Sequence, residues 1–290
     1  MIEIRQILFP TDLSAASEAA FPHARLVAER FGARLTIVHA VEIPWPVFAR
    51  EGAEHEAELV ARWAGKARTA IDERFPSPAA AREVVVRSDV SAPALLVDAA
   101  LLDFIRQRQP DLVVMATHGR TGMDRAFMGS VTERIVHGGG RPVLCLRPGA
   151  ASRLPYRRVV VTTDLSAASR RAFPWAASLC EVFGAELTVV HAPARPTVAA
   201  LGGWTAPPDA PTAEAVRQFL GPGIGAGTEV LVTAPGAAWS SVVRAAEERQ
   251  ADLVVMSGQG HDSLGDHILG STTDRVLRHA PCAVLVISPS

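Results

Sequence analysis

The residues of this chain best suited to chemistry lie between Ala116 and Ser130, in the run ATHGRTGMDRAFMGS. A stretch of four apolar residues, Leu112 to Met115, stops there and glycine takes over. Such a run, bounded by turn formers, predicts a strand covered on both faces, as in a parallel sheet. After a loop from Thr117 to Met128, Gly129 and Ser130 lead into Val131-Thr132-Glu133-Arg134-Ile135-Val136. That segment predicts a helix whose first turn is capped by a hydroxyl and carries an acid. A strand, a glycine-rich loop and a helix start together present backbone N–H groups to an anion, so one reading is a phosphate cradle. In the other reading, Gly119 and Gly122 only supply positive φ in turns, and Ser130 is an ordinary N-cap. The loop is not a P-loop, because no Gly-Lys-Ser/Thr closes it, and its glycines are not spaced as a dinucleotide fingerprint.

In an open parallel α/β sheet a ligand crevice lies beyond the carboxyl ends of the strands, where the strand order reverses. Pro10-Thr11-Asp12 follows the short apolar strand Ile7-Leu8-Phe9. A first strand is normally central, so this turn should face Ala116 to Ser130. A carboxylate at Asp12 could accept hydrogen bonds from ribose hydroxyls while the loop N–H groups hold phosphate. Equally, Asp12 could do no more than cap a helix start.

The elements that would position these residues follow in order. Ser14 caps a helix that ends near Phe31, where Gly32 supplies the stop. Leu35 to His39 is strand two, Pro44-Trp45-Pro46 reads as a Pro-rich linker, and a charged helix runs over roughly 51–75. Val84 to Val86 is strand three; Val97, Leu101 and Ile105 fall at helical spacing, and Pro110 ends that helix. Strand four opens the glycine loop, the next helix ends at Gly138-Gly139-Gly140, and Val143 to Leu146 is strand five. Alternating strands and helices predict right-handed crossovers and an open five-stranded parallel sheet with helices on both faces.

This order occurs twice in the 290 residues. Asp12 in PTDLSAAS recurs as Asp164 in TTDLSAAS, and His39 recurs as His191, both 152 residues on (12 to 164, 39 to 191). Asp111-Leu112-Val113-Val114-Met115 returns only 141 residues on (111 to 252), so the second copy has lost about eleven residues between His191 and Asp252. The loss falls where the long second helix of the first copy stands. In its place Pro193 to Gly227 is rich in Pro, Gly, Ala and Thr, and only Ala213 to Leu220 predicts a helix. The expected domains are 1–148 and a shortened 158–290, joined by a linker at 149–157.

A hydrophobic content of 48% is ample for two cores. A net charge of −1 provides no basic footprint for nucleic acid. Neither a signal-like apolar start nor a membrane-length apolar run is present, so no membrane partner is expected and the cytoplasm is the expected location. Cys145, Cys180 and Cys282 lack metal-ligand spacing and read as buried thiols. His39 and His191, at the ends of buried strands, read as structural histidines. The five tryptophans are scattered and read as packing residues.

It is on the glycine loop and the strand-one aspartate that the chain resembles the universal stress protein family. The family motif is Gly-x-x-Gly, nine residues, Gly-Ser/Thr; here it reads Ala116-Thr117-His118-Gly119, nine residues, Gly129-Ser130, and in the second copy Ser257-Gly258-Gln259-Gly260, nine residues, Gly270-Ser271. The resemblance implies a Rossmann-like fold of the adenine nucleotide α-hydrolase type, a stress-response role, and ATP as ligand, which Mg²⁺ could accompany. It implies a nucleotide site at Pro10, Thr11, Asp12, Ala40, Met115, Ala116, His118, Gly119, Arg120, Gly122, Gly129, Ser130 and Val131. A second site is implied at Thr163, Asp164, Ala192, Met256, Ser257, Gly260, Gly270, Ser271 and Thr272. Arg120-Thr121 becomes His261-Asp262 in the second copy, which exchanges a phosphate partner for a repelling carboxylate. No catalytic constellation or metal cluster can be placed at the crevice, so the expectation is a binding module or at most a slow ATPase, with a nucleotide-free scaffold as the remaining alternative. The resemblance also implies an intramolecular pseudo-dimer through the last strands; a further homodimer and protein partners stay undetermined.

Overall fold

The computed structural model describes residues 1–77, 79–87, 97–117, 128–150, 153–193, 211–221, 228–259 and 269–288. The chain divides into two compact units, Glu3–Pro148 and Gly149–Ser290, the latter joined by Met1–Ile2. In the first, β1 (Gln6–Thr11), α1 (Ala15–Phe31), β2 (Arg34–Glu42), α2 (Trp45–Arg74), β3 (Ala81–Arg87), α3 (Val97–Arg108), β4 (Leu112–Ala116), α4 (Ser130–Gly138) and β5 (Val143–Leu146) alternate along the chain. The strands lie in the order β3-β2-β1-β4-β5, every adjacent pair parallel. β1 is therefore central, and the direction of winding reverses between it and β4.

The second unit repeats this path with β6 (Arg158–Thr163), α5 (Ala167–Arg170), α6 (Ala172–Phe183), β7 (Glu186–His191), α7 (Ala213–Leu220), β8 (Glu229–Val232), α8 (Ala238–Glu248), β9 (Leu253–Ser257), α9 (Ser271–His279) and β10 (Ala283–Ile287). Its order is β8-β7-β6-β9-β10, again with parallel neighbours. The duplication extends to register: Gln6 faces Arg34 and Thr11 faces His39 in one unit, as Arg158 faces Glu186 and Thr163 faces His191 in the other. The strands beside β1 and β6 are buried because helices cover both of their faces: every residue of β4 and β9 is buried.

Local chemistry fixes the ends. Ser14 and Ser166 accept the N–H of Ser17 and Ser169, and Gly32 and Gly184 close the following helices in the left-handed region at φ 65° and 62°. At the far end of the sheet, the Asp111 carboxylate accepts the N–H groups of Arg5 and Gln6, and Asp252 accepts those of Arg157 and Arg158, all at 2.8–3.0 Å. Tyr156, within the segment expected to link the copies, is fully buried and packs edge to face on Phe183, with ring centroids 5.2 Å apart.

Two elements differ from expectation. Pro44 and Pro46 do not form a linker: α2 begins at Trp45, with Pro46 in its first turn, where a missing N–H leaves no intrahelical bond unmade. The helix is 30 residues long and kinked at His55 (φ −137°, ψ 39°). The expected single helix after Ser166 is divided at Arg171 into α5 and α6, whereas α1 runs unbroken through Pro22, the counterpart of Pro174, so proline alone does not account for the break. Of the segment expected to be irregular, Ala213–Leu220 is helical and residues 194–210 and 222–227 lie outside the described residues. Among the described residues no helix is long and apolar enough to cross a membrane.

Candidate functional site

β1 and β4 run side by side with Ile7 opposite Leu112 and Leu8 opposite Val113, which sets the turn after β1 beside the end of β4. Pro10 and Thr11 are the buried last residues of β1, and Met115 and Ala116 are the buried last residues of β4. Thr117, the next residue, is tied to β5 by its N–H to the Leu146 carbonyl at 2.8 Å. His118, Gly119, Arg120 and Gly122, and Gly260 of the second copy, lie outside the described residues.

The helix after the loop starts differently from the sequence expectation. Gly129, not Ser130, is the N-cap of α4, and no side chain caps it; α9 likewise starts on Gly270 without a side-chain cap. Ser130 and Ser271 occupy the first helical turn and are exposed, so their hydroxyls do not serve as caps. The Gly129 and Gly270 N–H groups are themselves committed to the carbonyls of Thr117 and Gly258, each at 2.8 Å. The first intrahelical bonds are Glu133 N–H to Gly129 and Asp274 N–H to Gly270, both 3.0 Å. Three N–H groups in each copy, those of residues 130–132 and 271–273, therefore precede the first intrahelical bond with no side chain capping them. A pair of residues overlooked in the sequence, Thr132 and Thr273, holds these starts in place: each hydroxyl donates to the last carbonyl of the preceding strand, Ala116 or Ser257, at 3.0 Å. Their recurrence two residues after the Gly-Ser pair was the available signal.

The Asp12 carboxylate does serve the helix start. Its Oδ1 accepts the Ser14 N–H (3.1 Å), the Ser14 hydroxyl (2.6 Å) and the Ser17 hydroxyl (2.7 Å). Asp164 accepts the Ser166 N–H at 2.9 Å, whereas the Ser169 hydroxyl pairs with that of Thr163 at 2.9 Å. Between aspartate and serine, Leu13 and Leu165 both adopt left-handed backbone, φ 64° and 65°, and each donates its N–H to the preceding threonine hydroxyl at 3.0 Å. A bulky residue in that region is strained, and its retention in both copies marks the turn as a fixed feature of the crevice.

Around these turns the two domains build different cavities. In the first, Asp12 and Ala40 line a cleft of about 740 Å³ with His39, Glu42 and, from α2, Trp63, Lys66 and Arg74. Lys66 lies over the Trp63 ring, 5.9 Å from its centroid. No sequence signal tied α2 to the site. In the second, Thr163, Asp164, Ala192, Met256, Ser257, Gly270, Ser271 and Thr272 all line one crevice of about 210 Å³. Every described residue expected in the second site is thus in one place. His39 and His191 place Nδ1 2.7 and 2.9 Å from the carbonyls of Thr11 and Thr163. Burial pushes the thiols of Cys145, Cys180 and Cys282 up to about 12, so none supplies a thiolate near neutrality. Among the described residues no group of three or more His, Cys, Asp or Glu could hold a metal ion.

Two parallel α/β domains, each setting a helix start without a side-chain cap beside the turn after its central strand, define a duplicated α/β protein. The sequence model of the universal stress protein family matches residues 3–147 and 155–288, and the chain belongs to that family as a tandem two-domain member. A universal stress protein of Methanocaldococcus jannaschii is 28% identical over 160 residues, covering 49% of this chain and 82% of its own length, the span of one domain. A universal stress protein of Archaeoglobus fulgidus superposes over the whole of both chains with a TM-score of 0.64 at 20% identity. One of Pseudomonas aeruginosa covers 99% of this chain and 94% of its own at 0.63 and 17%. These last two likenesses are of fold.

Proposed function

We propose that this protein is a stress-response regulatory or protective module that binds ATP in its first domain, at the crevice between the ends of β1 and β4. The observation that carries the reading is the start of α4: three N–H groups precede its first intrahelical bond with no side chain capping them, and a phosphate group would complete the cap. The N–H groups of Ser130, Val131 and Thr132, with the exposed Ser130 hydroxyl, would hold phosphate. Gly129 would not donate, because its N–H already bonds Thr117. Asp12 and the backbone at Ala40, both on the cleft that α2 covers, would take the nucleoside. Mg²⁺ would bridge phosphate oxygens with few protein ligands. By resemblance, His118, Gly119, Arg120 and Gly122 belong to the same site.

The test is calorimetric titration of ATP, with and without Mg²⁺, into nucleotide-stripped protein carrying Gly129→Asp or Gly270→Asp. At φ −63° an aspartate fits position 129 and caps the helix with its own carboxylate, occupying the anion site while keeping the fold. The expected outcome is loss of most ATP binding in Gly129→Asp and its retention in Gly270→Asp. Absence of binding to the unsubstituted protein would overturn the reading in favour of a nucleotide-free scaffold.

A further inference from the structure

Glu42, the last residue of β2, and Trp63 of α2 line the same cleft of the first domain. Residues 43–62 therefore leave one wall of that cleft and return to the other. An unbroken helix from Trp45 to Trp63 would set its ends about 27 Å apart, at 1.5 Å per residue. That is far more than the width of a cleft of about 740 Å³. The helix has to turn back on itself, and it does so at His55, whose φ of −137° and ψ of 39° are non-helical. His55 is not a proline, and Pro46 lies in the first turn of α2, so the two fixed ends rather than a helix breaker set the kink.

The feet of this arch are anchored and its span is not. Ile43 is 6% and Leu59 2% exposed, whereas every described side chain between them is exposed or half-buried. The arch starts where β2 ends, at the carboxyl edge of the sheet, which is the edge on which the cleft opens. Two helical arms joined at one non-helical residue make a hinge, because a change of backbone at that residue re-aims the whole arm. We propose that residues 44–58 are a gate over the first cleft, which opens when His55 moves from its kinked to a helical backbone and swings the arm beginning at Trp45 outward. The proposal rests on reading this cleft as a ligand site, and it adds a moving part that controls entry and release.

The hinge can be read without ligand, by pulsed electron paramagnetic resonance between spin labels at Ala49→Cys and Arg68→Cys, both exposed positions, in the full chain carrying Cys180→Ala. Two distances should appear. His55→Ala, which favours helical backbone at the kink, should raise the population of the longer one about threefold, and His55→Gly should not raise it. A single distance that neither substitution moves overturns the hinge. Gating is read by stopped flow with the fluorescent analogue mant-ATP. Replacing residues 44–58 by a five-residue glycine-serine linker, which spans about 17 Å when extended, should speed binding and release together at least tenfold, with Kd within about threefold of the unaltered chain. Unchanged hydrogen-exchange protection of β1 and of residues 59–75 identifies a shortened chain that keeps its fold. His55→Ala removes no chain and should speed both rates about threefold. Unchanged rates, or weaker binding at an unchanged association rate, overturn the gate. Failure of the ATP reading looks different: no chain binds the nucleotide, and the two distances still respond to His55→Ala.

Discussion

Phe75 meets Phe9 and Phe21 edge to face in the first domain, with ring centroids 5.1–5.5 Å apart. Between the second and third strands of the second domain the described helix is the short α7 in place of the α2 that leads to Phe75, and Val161 stands where Phe9 does. The second domain's aromatic pair, Tyr156 on Phe183, packs beside the start of β6 instead. Yet the left-handed leucine with its N–H on the preceding threonine, the helix start without a side-chain cap and the threonine that ties it to the preceding strand are all retained, while the serine hydroxyl that bonds Asp12 in the first copy turns to Thr163 in the second. The 30-residue α2 and the eight-residue α7 thus go with different cores and cleft walls, while the described start of the following helix is the same in both copies. Core packing and crevice geometry are therefore separable in this fold, and the separation can be tested from both sides.

The largest effect should come from Phe75→Ala. Phe75 is fully buried, so the variant leaves a cavity at the junction of α1, α2 and β1 and should destabilise the first domain by about 4 kcal/mol. Hydrogen exchange measured by mass spectrometry should show the loss in residues 3–148 only. Equal loss in both domains would mean that the two cores are not independent.

Acid should separate the domains next. His23 is fully buried in α1, and burial pushes its pKa down to about 4. Trp175, which does not titrate, occupies the equivalent place. Between pH 6.5 and about 4 the unfolded chain takes up the proton and the folded domain does not, so stability falls with pH across that window. The full loss is about 3 kcal/mol, confined to the first domain. Exchange protection that declines equally in both domains from pH 7 to 5 would remove His23 as the cause.

How much of this was legible in the sequence depends on distance along the chain. The duplicate, the strand order beside β1 and the presence of a helix after each Gly-Ser pair follow from patterns within ten or so residues and from their recurrence. The helix break before Pro174 was not readable, since Pro22 at the equivalent place leaves α1 continuous. Trp63 and Lys66 were not readable as cleft residues: they reach the end of β2 only because a long helix crosses it, and a helix crossing leaves no local pattern. Ser130 misled for a third reason. A hydroxyl next to a glycine suits either the cap or the first turn, and backbone dihedrals decide between them.

A third comparison concerns the far end of the sheet. Asp252 is 2% exposed and Asp111 is half-buried, though each accepts two backbone N–H groups. Asp252→Ala should cost about 2 kcal/mol and Asp111→Ala about 1, because water can reach the orphaned donors only at the latter. Asparagine at either place, keeping one acceptor, should recover part of the loss in urea denaturation.

The smallest effect bears on why both copies keep a strained leucine. Leu13→Ala and Leu13→Gly remove the same side chain, but only glycine relieves φ 64°. The glycine variant should therefore be more stable than the alanine variant by about 1 kcal/mol, with the same difference at Leu165 in the other domain. ATP affinity of the Leu13 variants decides what the strain does in the first domain. If the glycine variant gains stability and loses affinity, the left-handed turn holds Asp12 in a binding geometry that a relaxed chain leaves. If affinity is unchanged, the strain is a by-product of joining a buried strand to a capped helix in two residues, and Asp12 acts as a helix support alone.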